Sequence, residues 1–272
     1  MSPRAPVLAL ACGLGAAFAR LASAAGEPPV QTAPATATPG ASEATTAGPQ
    51  LQPGAVHLRP FQARYGFYWH GLQAGTITFT LHQKAGSEWL YESVTVPRGL
   101  FKLVPGAAVH ISSHMLVDAA GVRPVRFEGF EGDSKSLSAE LDFDWQAMRV
   151  RGHMKESPID MALKPGVQDD LSVMISLLHA LELGSVPKDI ALFDKDGIRD
   201  YDYSREGDAT VATPYGPVAA EVYRSQKRHS PRRNRYWLAP GWDDVPVRAE
   251  QRKGEDVEWH MELEALQRPP PP

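Results

Sequence analysis

The sequence predicts a mainly β protein, in which one largely buried α-helix packs in the concavity of a curved antiparallel sheet. Two observations support this fold class. Residues 61–81 hold two runs of alternating apolar and polar side chains joined by a glycine-containing segment, and the same alternation recurs along the chain. In contrast, residues 170–183 place their apolar side chains at helical spacing.

The first strand run sets the pattern for the rest. Its apolar positions are Phe61, Ala63, Tyr65, Phe67 and Trp69. Because successive side chains of a strand point to opposite faces, this run has one apolar face. Residues 70–75 include two glycines, and residues 76–81 alternate again. Two such runs joined by a short glycine-containing loop predict a β-hairpin.

Similar segments bring the prediction to roughly a dozen strands. They are 89–96, 109–117, 125–130, 137–145, 148–154, 198–204, 209–213, 218–225, 236–239, 245–250 and 256–265. The segment 137–145 alternates most clearly, and its polar face, with Asp142 and Asp144, is expected in water. Many short strands, each with one solvent-exposed face, predict a barrel or a sandwich.

The helix prediction depends on spacing and on end signals. Leucine, methionine and isoleucine side chains recur at i, i+3, i+4, i+7 and i+10 from residue 171. Asp169 and Asp170 suit an N-cap and the helix dipole, and Gly184 and Pro187 suit the C-terminal end. Val173 adds apolar surface off the main stripe, so we expect most of the helix to be buried.

The amino-terminal residues predict export. A basic start, an apolar run over 5–19 and the small residues Ala22 and Ala24 indicate a signal peptide over 1–24, cleaved after Ala24. A retained membrane anchor and a lipoprotein site at Cys12 are the alternatives. The apolar run is short for a spanning helix and continues well past Cys12, so cleavage after Ala24 explains the whole segment better.

The remaining chain divides by composition. Residues 25–57 are rich in Pro, Ala and Thr and predict a disordered linker. Residues 58–267 predict a single β-rich domain, and 268–272 a disordered proline tail. Cleavage of the signal peptide would remove Arg4 and Arg20 and change the net charge from −4 to −6. Nucleic acid is therefore not an expected partner of this acidic protein. Removing the leader also removes Cys12, the single cysteine, and with it disulfide chemistry.

The sequence holds no catalytic, cofactor or metal motif that we recognise. Gly-x-Ser-x-Gly and a Ser/His/Asp order do not occur. Residues 194–197, Asp-Lys-Asp-Gly, resemble the start of a calcium loop, but loop position twelve is Arg205, so a hairpin turn is the simpler prediction. His110 and His114 would lie about 13 Å apart on a strand, too far to share a metal ion.

One segment is unusually basic for an acidic protein. Residues 227–235 carry five cations and no acid around a Ser-Pro pair, which predicts a loop between strands. A contact with an anionic membrane surface or another acidic partner would use these side chains: Lys227, Arg228, Arg232, Arg233 and Arg235. The alternative is a solvated hairpin without a partner.

An ordered set of short motifs resembles the bacterial envelope family called domain of unknown function 3108. The motifs are Tyr65-x-x-x-Trp69-x-Gly71-x-x-x-Gly75, Pro124 with Phe127, Phe143-Asp144-Trp145, Asp170 with Ser172 at the start of the helix, and Pro246-Val247-Arg248-x-Glu250. The resemblance covers about residues 60–265. It implies a secreted β-rich domain like an incomplete barrel, in the manner of periplasmic lipoprotein carriers, and it implies no catalytic residues or cofactors.

These observations favour a periplasmic, non-enzymatic protein that binds lipid or another apolar envelope ligand and serves cell-envelope maintenance. A structural or scaffold protein that docks on envelope components is the alternative, and a hydrolase with an unrecognised site is a third. A deep apolar cavity would favour the carrier, whereas a filled core with an exposed sheet would favour the scaffold.

Overall fold

The computed structural model describes residues 58–132, 138–194 and 197–268 and places them in one antiparallel sheet and one α-helix. The predicted signal peptide and linker, together with residues 269–272 of the tail, lie outside the described residues. The strands are β1 (Phe61–Trp69), β2 (Leu72–Ala85), β3 (Glu88–Pro97), β4 (Val109–Asp118), β5 (Gly121–Glu131), β6 (Ala139–Asp144), β7 (Arg149–Met154), β8 (Ser157–Ala162), β9 (Asp189–Asp194), β10 (Gly197–Thr213), β11 (Gly216–Lys227), β12 (Arg232–Ala239), β13 (Val245–Lys253) and β14 (Asp256–Gln267).

The sheet has 14 strands in the order β8-β7-β6-β5-β4-β3-β2-β1-β14-β13-β12-β11-β10-β9. Strands that are consecutive in the chain therefore pair with each other, except β8 and β9, which form the two free edges of the sheet. Strand β1 also pairs with β14. The predicted mainly β fold, an incomplete barrel with one helix, is confirmed: the sheet is not closed.

Curvature brings the two halves of the open sheet together. The ring centroids of Phe143 on β6 and Phe193 on β9 are 6.5 Å apart, although many strands separate them in the sheet order. Register shifts occur in several strand pairs, for example between Phe67 and Tyr68 on β1, and such bulges bend and twist a sheet. The sheet curls into a barrel-like shape around a shared core.

The hairpin of β1 and β2 is confirmed, with a tighter turn than predicted. Only His70 and Gly71 lie between the strands, and Gly75 belongs to β2. A side chain at Gly75 would place its Cβ 2.3 Å from the carbonyl oxygen of Val96 on β3. This glycine therefore allows two strands to approach closely, and it does not form the turn.

Strand prediction was wrong in three places. Edge strand β8 was missed because it has no fully buried residue and so no clear alternation to detect. Strand β9, which contributes Ile190, Leu192 and Phe193 to the core, was also missed. The chain over 197–213 is one strand instead of two, because a bulge between Arg205 and Gly207 interrupts the alternation without ending the strand.

The inside of the barrel is filled by side chains, many of them aromatic. Tyr65 packs edge-on against Phe79 with ring centroids 5.7 Å apart, and Phe79 also stacks on Tyr91. The Tyr65 hydroxyl donates a 2.7 Å hydrogen bond to the carbonyl of Pro246, so its polar atom is satisfied inside the core. These side chains belong to one continuous cluster of buried residues.

The helix α1 runs from Ser172 to Glu182, two residues shorter at its start than predicted and one at its end. Its buried side chains are Ser172, Val173, Met174, Ile175, Leu177, Leu178 and His179. The prediction of a largely buried helix is confirmed.

The helix start is built around a buried carboxylate. Oδ1 of Asp169 accepts hydrogen bonds from the backbone N–H groups of Leu171 (2.9 Å) and Ser172 (2.8 Å), and the Ser172 hydroxyl accepts one from the N–H of Asp169. The other oxygen, Oδ2, accepts a 2.6 Å bond from the hydroxyl of Ser113 on β4. The predicted capping role thus belongs to Asp169, which also attaches the helix to the sheet.

The neighbouring residue Gln168 attaches the same segment to two further strands. Its backbone pairs with the free edge of β9 through 2.8 Å bonds with Ala191 and Phe193, and its side-chain amide donates a 2.9 Å bond to the carbonyl of Val122 on β5. The segment before α1 therefore covers an edge of the sheet that its 14 strands leave unpaired.

We expect Leu177→Ala to lower the free energy of unfolding by about 2–5 kcal/mol, because it removes a fully buried side chain from the helix. Leu183→Ala, at a position 65% exposed beside the same helix, is the matched control and should change stability by no more than about 0.5 kcal/mol. Urea denaturation followed by circular dichroism measures both, and equal midpoints would contradict the buried helix.

We expect Asp169→Ala to cost about 2–4 kcal/mol, because it removes a helix cap and leaves buried donors without an acceptor. Asp169→Asn keeps one acceptor oxygen and should cost less. Ser113→Ala breaks a single bond and should cost about 1 kcal/mol. In urea denaturation the parent chain should be the most stable, Asp169→Asn intermediate and Asp169→Ala the least stable. Any other order would show that the carboxylate does not anchor the helix.

Candidate functional site

The two ends of the barrel differ in what they carry. We call the end at which β1 begins the upper end, and the end at which β1 finishes the lower end. Strand β1 is antiparallel to both β2 and β14, β2 is antiparallel to β3, and β13 is antiparallel to β14. The starts of β1 and β13 therefore lie at the upper end, together with the end of β14. The β1–β2, β3–β4 and β11–β12 connections lie at the lower end.

The upper end holds a pocket of about 230 Å³ between the chain entering β1, the helix and the chain entering β13. Its apolar lining comes from Leu58, Phe61, Leu81, Leu178, Pro240 and Val245. Its charged lining comes from Arg59, Glu182, Asp243, Asp244 and Arg268. The pocket therefore combines an apolar floor with a rim of both charges.

Two rim acids have different surroundings. Asp243 makes an ion pair with Arg268, and its carboxylate lies 3.6 Å from Arg59. Arg268 continues the described chain one residue past the predicted domain boundary and donates to the carbonyl of Trp242. Among the described residues, the carboxylate of Asp244 has no hydrogen bond or ion pair.

Partial burial raises the pKa of Asp244, and the nearby carboxylates of Glu221, Asp243 and Glu182 raise it further. Both Asp243 and Asp244 have left-handed backbone conformations, with φ of 48° and 56°, which side-chain-bearing residues rarely adopt. Strain and an uncompensated acid at a pocket mouth are typical of binding sites.

Sequence reasoning missed this pocket. Its residues come from separated stretches of chain, and Asp243 and Asp244 lie in a connection to which we assigned no role. The local signal was the order Pro-Gly-Trp-Asp-Asp over 240–244, a turn sequence that places two acids side by side. Nothing in that order indicates an apolar floor.

The predicted basic segment forms a hairpin at the lower end, between the end of β11 and the start of β12. The structure places each of its five cations against a carboxylate. Lys227 lies 2.9 Å from Asp194, Arg228 2.7 Å from Asp189, Arg232 2.6 Å from Glu258, Arg233 3.5 Å from Glu255 and Arg235 2.7 Å from Glu206. The positive charge is thus largely neutralised within the protein, and contact with an anionic surface stays a prediction.

Three other sequence predictions agree with the structure. His110 and His114 lie on one strand, β4. Asp194 ends β9 and pairs with Gly197 at the start of β10, as a hairpin turn requires. Asp142 is exposed on β6 and pairs with Arg126. In the described ranges, no group of three or more His, Cys, Asp or Glu side chains is placed to hold a metal ion.

Comparison with known proteins identifies the family. The model of the family DUF3108, described as a protein of unknown function, matches residues 61–254. The chain belongs to the DUF3108 family. The predicted resemblance, placed over about 60–265, is therefore confirmed for residues 61–254. No curated protein matches the chain.

Within the described residues, no helix is both long and apolar enough to cross a membrane.

A solved structure shows that this DUF3108 chain shares its fold with another barrel-like protein. The β-barrel-like protein of the domain of unknown function DUF1849 from Brucella abortus is 15% identical, with a TM-score of 0.52 over 79% of this chain and 100% of that one. A protein with a YmcC-like fold from Bacteroides fragilis is more distant. It is 11% identical, with a TM-score of 0.31 over 78% of this chain and 97% of that one.

Two neighbouring arginines of the hairpin offer a matched test of the ion pairs. Arg232 makes two hydrogen bonds with the nearly buried carboxylate of Glu258, whereas the partner of Arg233, Glu255, is 89% exposed. We expect Arg232→Gln to cost about 1.5–3 kcal/mol of stability and Arg233→Gln no more than about 0.5 kcal/mol. Equal thermal unfolding of the two variants would show that the Arg232 pair does not stabilise the fold.

Proposed function

We propose that the protein is an exported, non-enzymatic binding protein of the bacterial cell envelope, whose upper pocket holds the apolar part of a small amphipathic ligand. The observation that carries this proposal is the pocket itself, in which apolar side chains form the floor and charged side chains form the rim. Such a combination suits a ligand with an apolar body and a polar head.

The size of the pocket limits what the ligand inserts. Its volume of about 230 Å³ is below the roughly 300–1,000 Å³ of sites that enclose a whole drug-sized molecule. The barrel interior below it is occupied by packed aromatic side chains. We therefore propose that one end of an apolar chain enters, while the rest of the ligand stays outside the barrel.

The rim favours a cationic head group. Asp243 is already paired with two arginines, but Asp244 faces other carboxylates, and burial and these neighbours raise its pKa. A positively charged group placed near Asp244 would stabilise its ionised form. We propose that the ligand carries an amine or a similar cation next to this side chain.

The proposal includes a periplasmic location and a non-enzymatic role. The signal-peptide pattern over 1–24 supports export to the periplasm. The pocket lining in the described part of the chain contains no Ser, Thr, Cys, Lys or His side chain, which leaves carboxylates and arginines as its polar groups. A binding role explains this lining more simply than a covalent mechanism does.

Isothermal titration of the mature chain with dodecylamine and with dodecanoate tests the proposal, since the two probes share one apolar chain and differ in head-group charge. We expect dodecylamine to bind more tightly. Leu58→Trp, which enlarges one of the apolar lining side chains, should weaken the binding of both probes, because it leaves less space in the pocket. Leu183→Trp, on an exposed position outside the pocket, is the control and should bind as the parent does.

The charged rim is tested by Asp244→Asn. We expect this variant to lose the preference for dodecylamine, because the amide cannot pair with a cation. Its affinity for dodecanoate should stay the same or increase. If the parent chain binds neither probe, and native mass spectrometry of protein purified from its own periplasm finds no co-purified ligand, the binding proposal fails and a scaffold role is favoured.

A further inference from the structure

A short 3₁₀ helix, Gly99–Leu103, projects from the lower end of the barrel between β3 and β4. Its sequence is Gly-Leu-Phe-Lys-Leu, and the side chains of both leucines are exposed to solvent. Leu100 is 81% exposed and Leu103 is 79% exposed. They are the two most exposed large apolar side chains in the described chain. We call this helix with its flanking Arg98 the apolar tip.

The fold holds the leucines outward. The backbone N–H of Arg98 bonds to the carbonyl of Ala74 on β2 at 2.8 Å, and N–H groups of Phe101 and Val104 bond back within the tip at 3.1 Å and 3.2 Å. Phe101 packs against the core. With three residues per turn in a 3₁₀ helix, Leu100 and Leu103 lie on the same side, away from this anchor.

Further apolar side chains lie beside the tip. Leu72, at the start of β2, is 66% exposed, and Val96, near the end of β3, is 52% exposed. The β1–β2 turn is adjacent to the tip because β2 pairs with both β1 and β3. A single exposed apolar side chain is ordinary, but a group of them at one end indicates an interaction surface.

The charges of the tip are not neutralised as those of the basic hairpin are. Neither Arg98 nor Lys102 makes an ion pair with any described residue, and the chain from 98 to 108 contains no acid. Glu131, next to Gly106 at the base of the loop, is attracted to Lys155 instead. Two cations without an acidic partner therefore flank two exposed leucines, although the protein as a whole is acidic.

We propose that the apolar tip docks on the surface of an anionic phospholipid bilayer. At such a surface the leucines would leave water for the acyl-chain boundary while the cations stay among the phosphate groups. A stable protein partner would need an interface of about 800 Å² and 20–30 residues on each side, whereas the apolar tip comprises six residues, 98–103. The binding pocket is at the opposite end, so docking would leave it open.

Cosedimentation of the mature chain with vesicles tests the proposal. Vesicles of phosphatidylglycerol and phosphatidylethanolamine are compared with vesicles of phosphatidylcholine alone, at low and high salt. We expect the parent chain to bind the anionic vesicles, to bind the neutral ones weakly, and to lose binding as salt increases.

Two double variants separate the contributions. Leu100→Ser with Leu103→Ser should weaken vesicle binding by roughly tenfold for each leucine that no longer inserts. Arg98→Gln with Lys102→Gln should weaken it by roughly fivefold for each cation, and only on anionic vesicles. All four side chains are outside the core, so both variants should unfold at the parent temperature.

Two single variants serve as controls and distinguish other surfaces. Leu183→Ser changes an exposed leucine at the upper end, and Arg233→Gln changes the hairpin at the lower end; both should bind vesicles as the parent does. Equal binding by the parent and the double-leucine variant would overturn the proposal, as would the absence of parent binding. A loss in Arg233→Gln as large as that in the tip variants would assign the membrane contact to the basic hairpin instead.

Discussion

The buried carboxylate of Asp169 is the interaction on which the arrangement of this barrel depends. It caps the helix, accepts the hydroxyl of Ser113 and is itself removed from water, which raises its pKa despite these hydrogen bonds. A carboxylate is costly to bury unless its oxygens are satisfied. The helix is consequently fixed in one position against the sheet, and the segment before it is fixed along the free edge of β9.

That fixed helix explains why an open sheet of 14 strands can enclose a core. An open edge exposes unpaired backbone groups, and here Gln168 pairs with the edge of β9 while α1 covers the apolar interior. The helix occupies space that a larger ligand would need in a hollow barrel. The pocket at the upper end is bounded on one side by Leu178 of the same helix.

The sheet surface also explains why the two ends carry different chemistry. Along the strands, arginines and carboxylates lie opposite one another, as Arg235 on β12 does with Glu250 on β13 and Arg248 on β13 does with Glu262 on β14. Cross-strand pairing of this kind neutralises charge without creating a site. Two connections between strands differ: within the described residues, neither Asp244 before β13 nor the two cations of the apolar tip after β3 make an ion pair.

The sequence by itself determined the fold class, the buried helix and most strands, because side-chain alternation and helical spacing are local properties that burial enforces. It also indicated the family. The missed strand β8 and the bulged strand β10 lacked that local signal. Only the tertiary structure decided that the basic segment is neutralised, since its partners, such as Glu258 and Asp189, are distant in sequence. It alone formed the pocket as well, because the pocket requires both ends of the domain and the helix to meet.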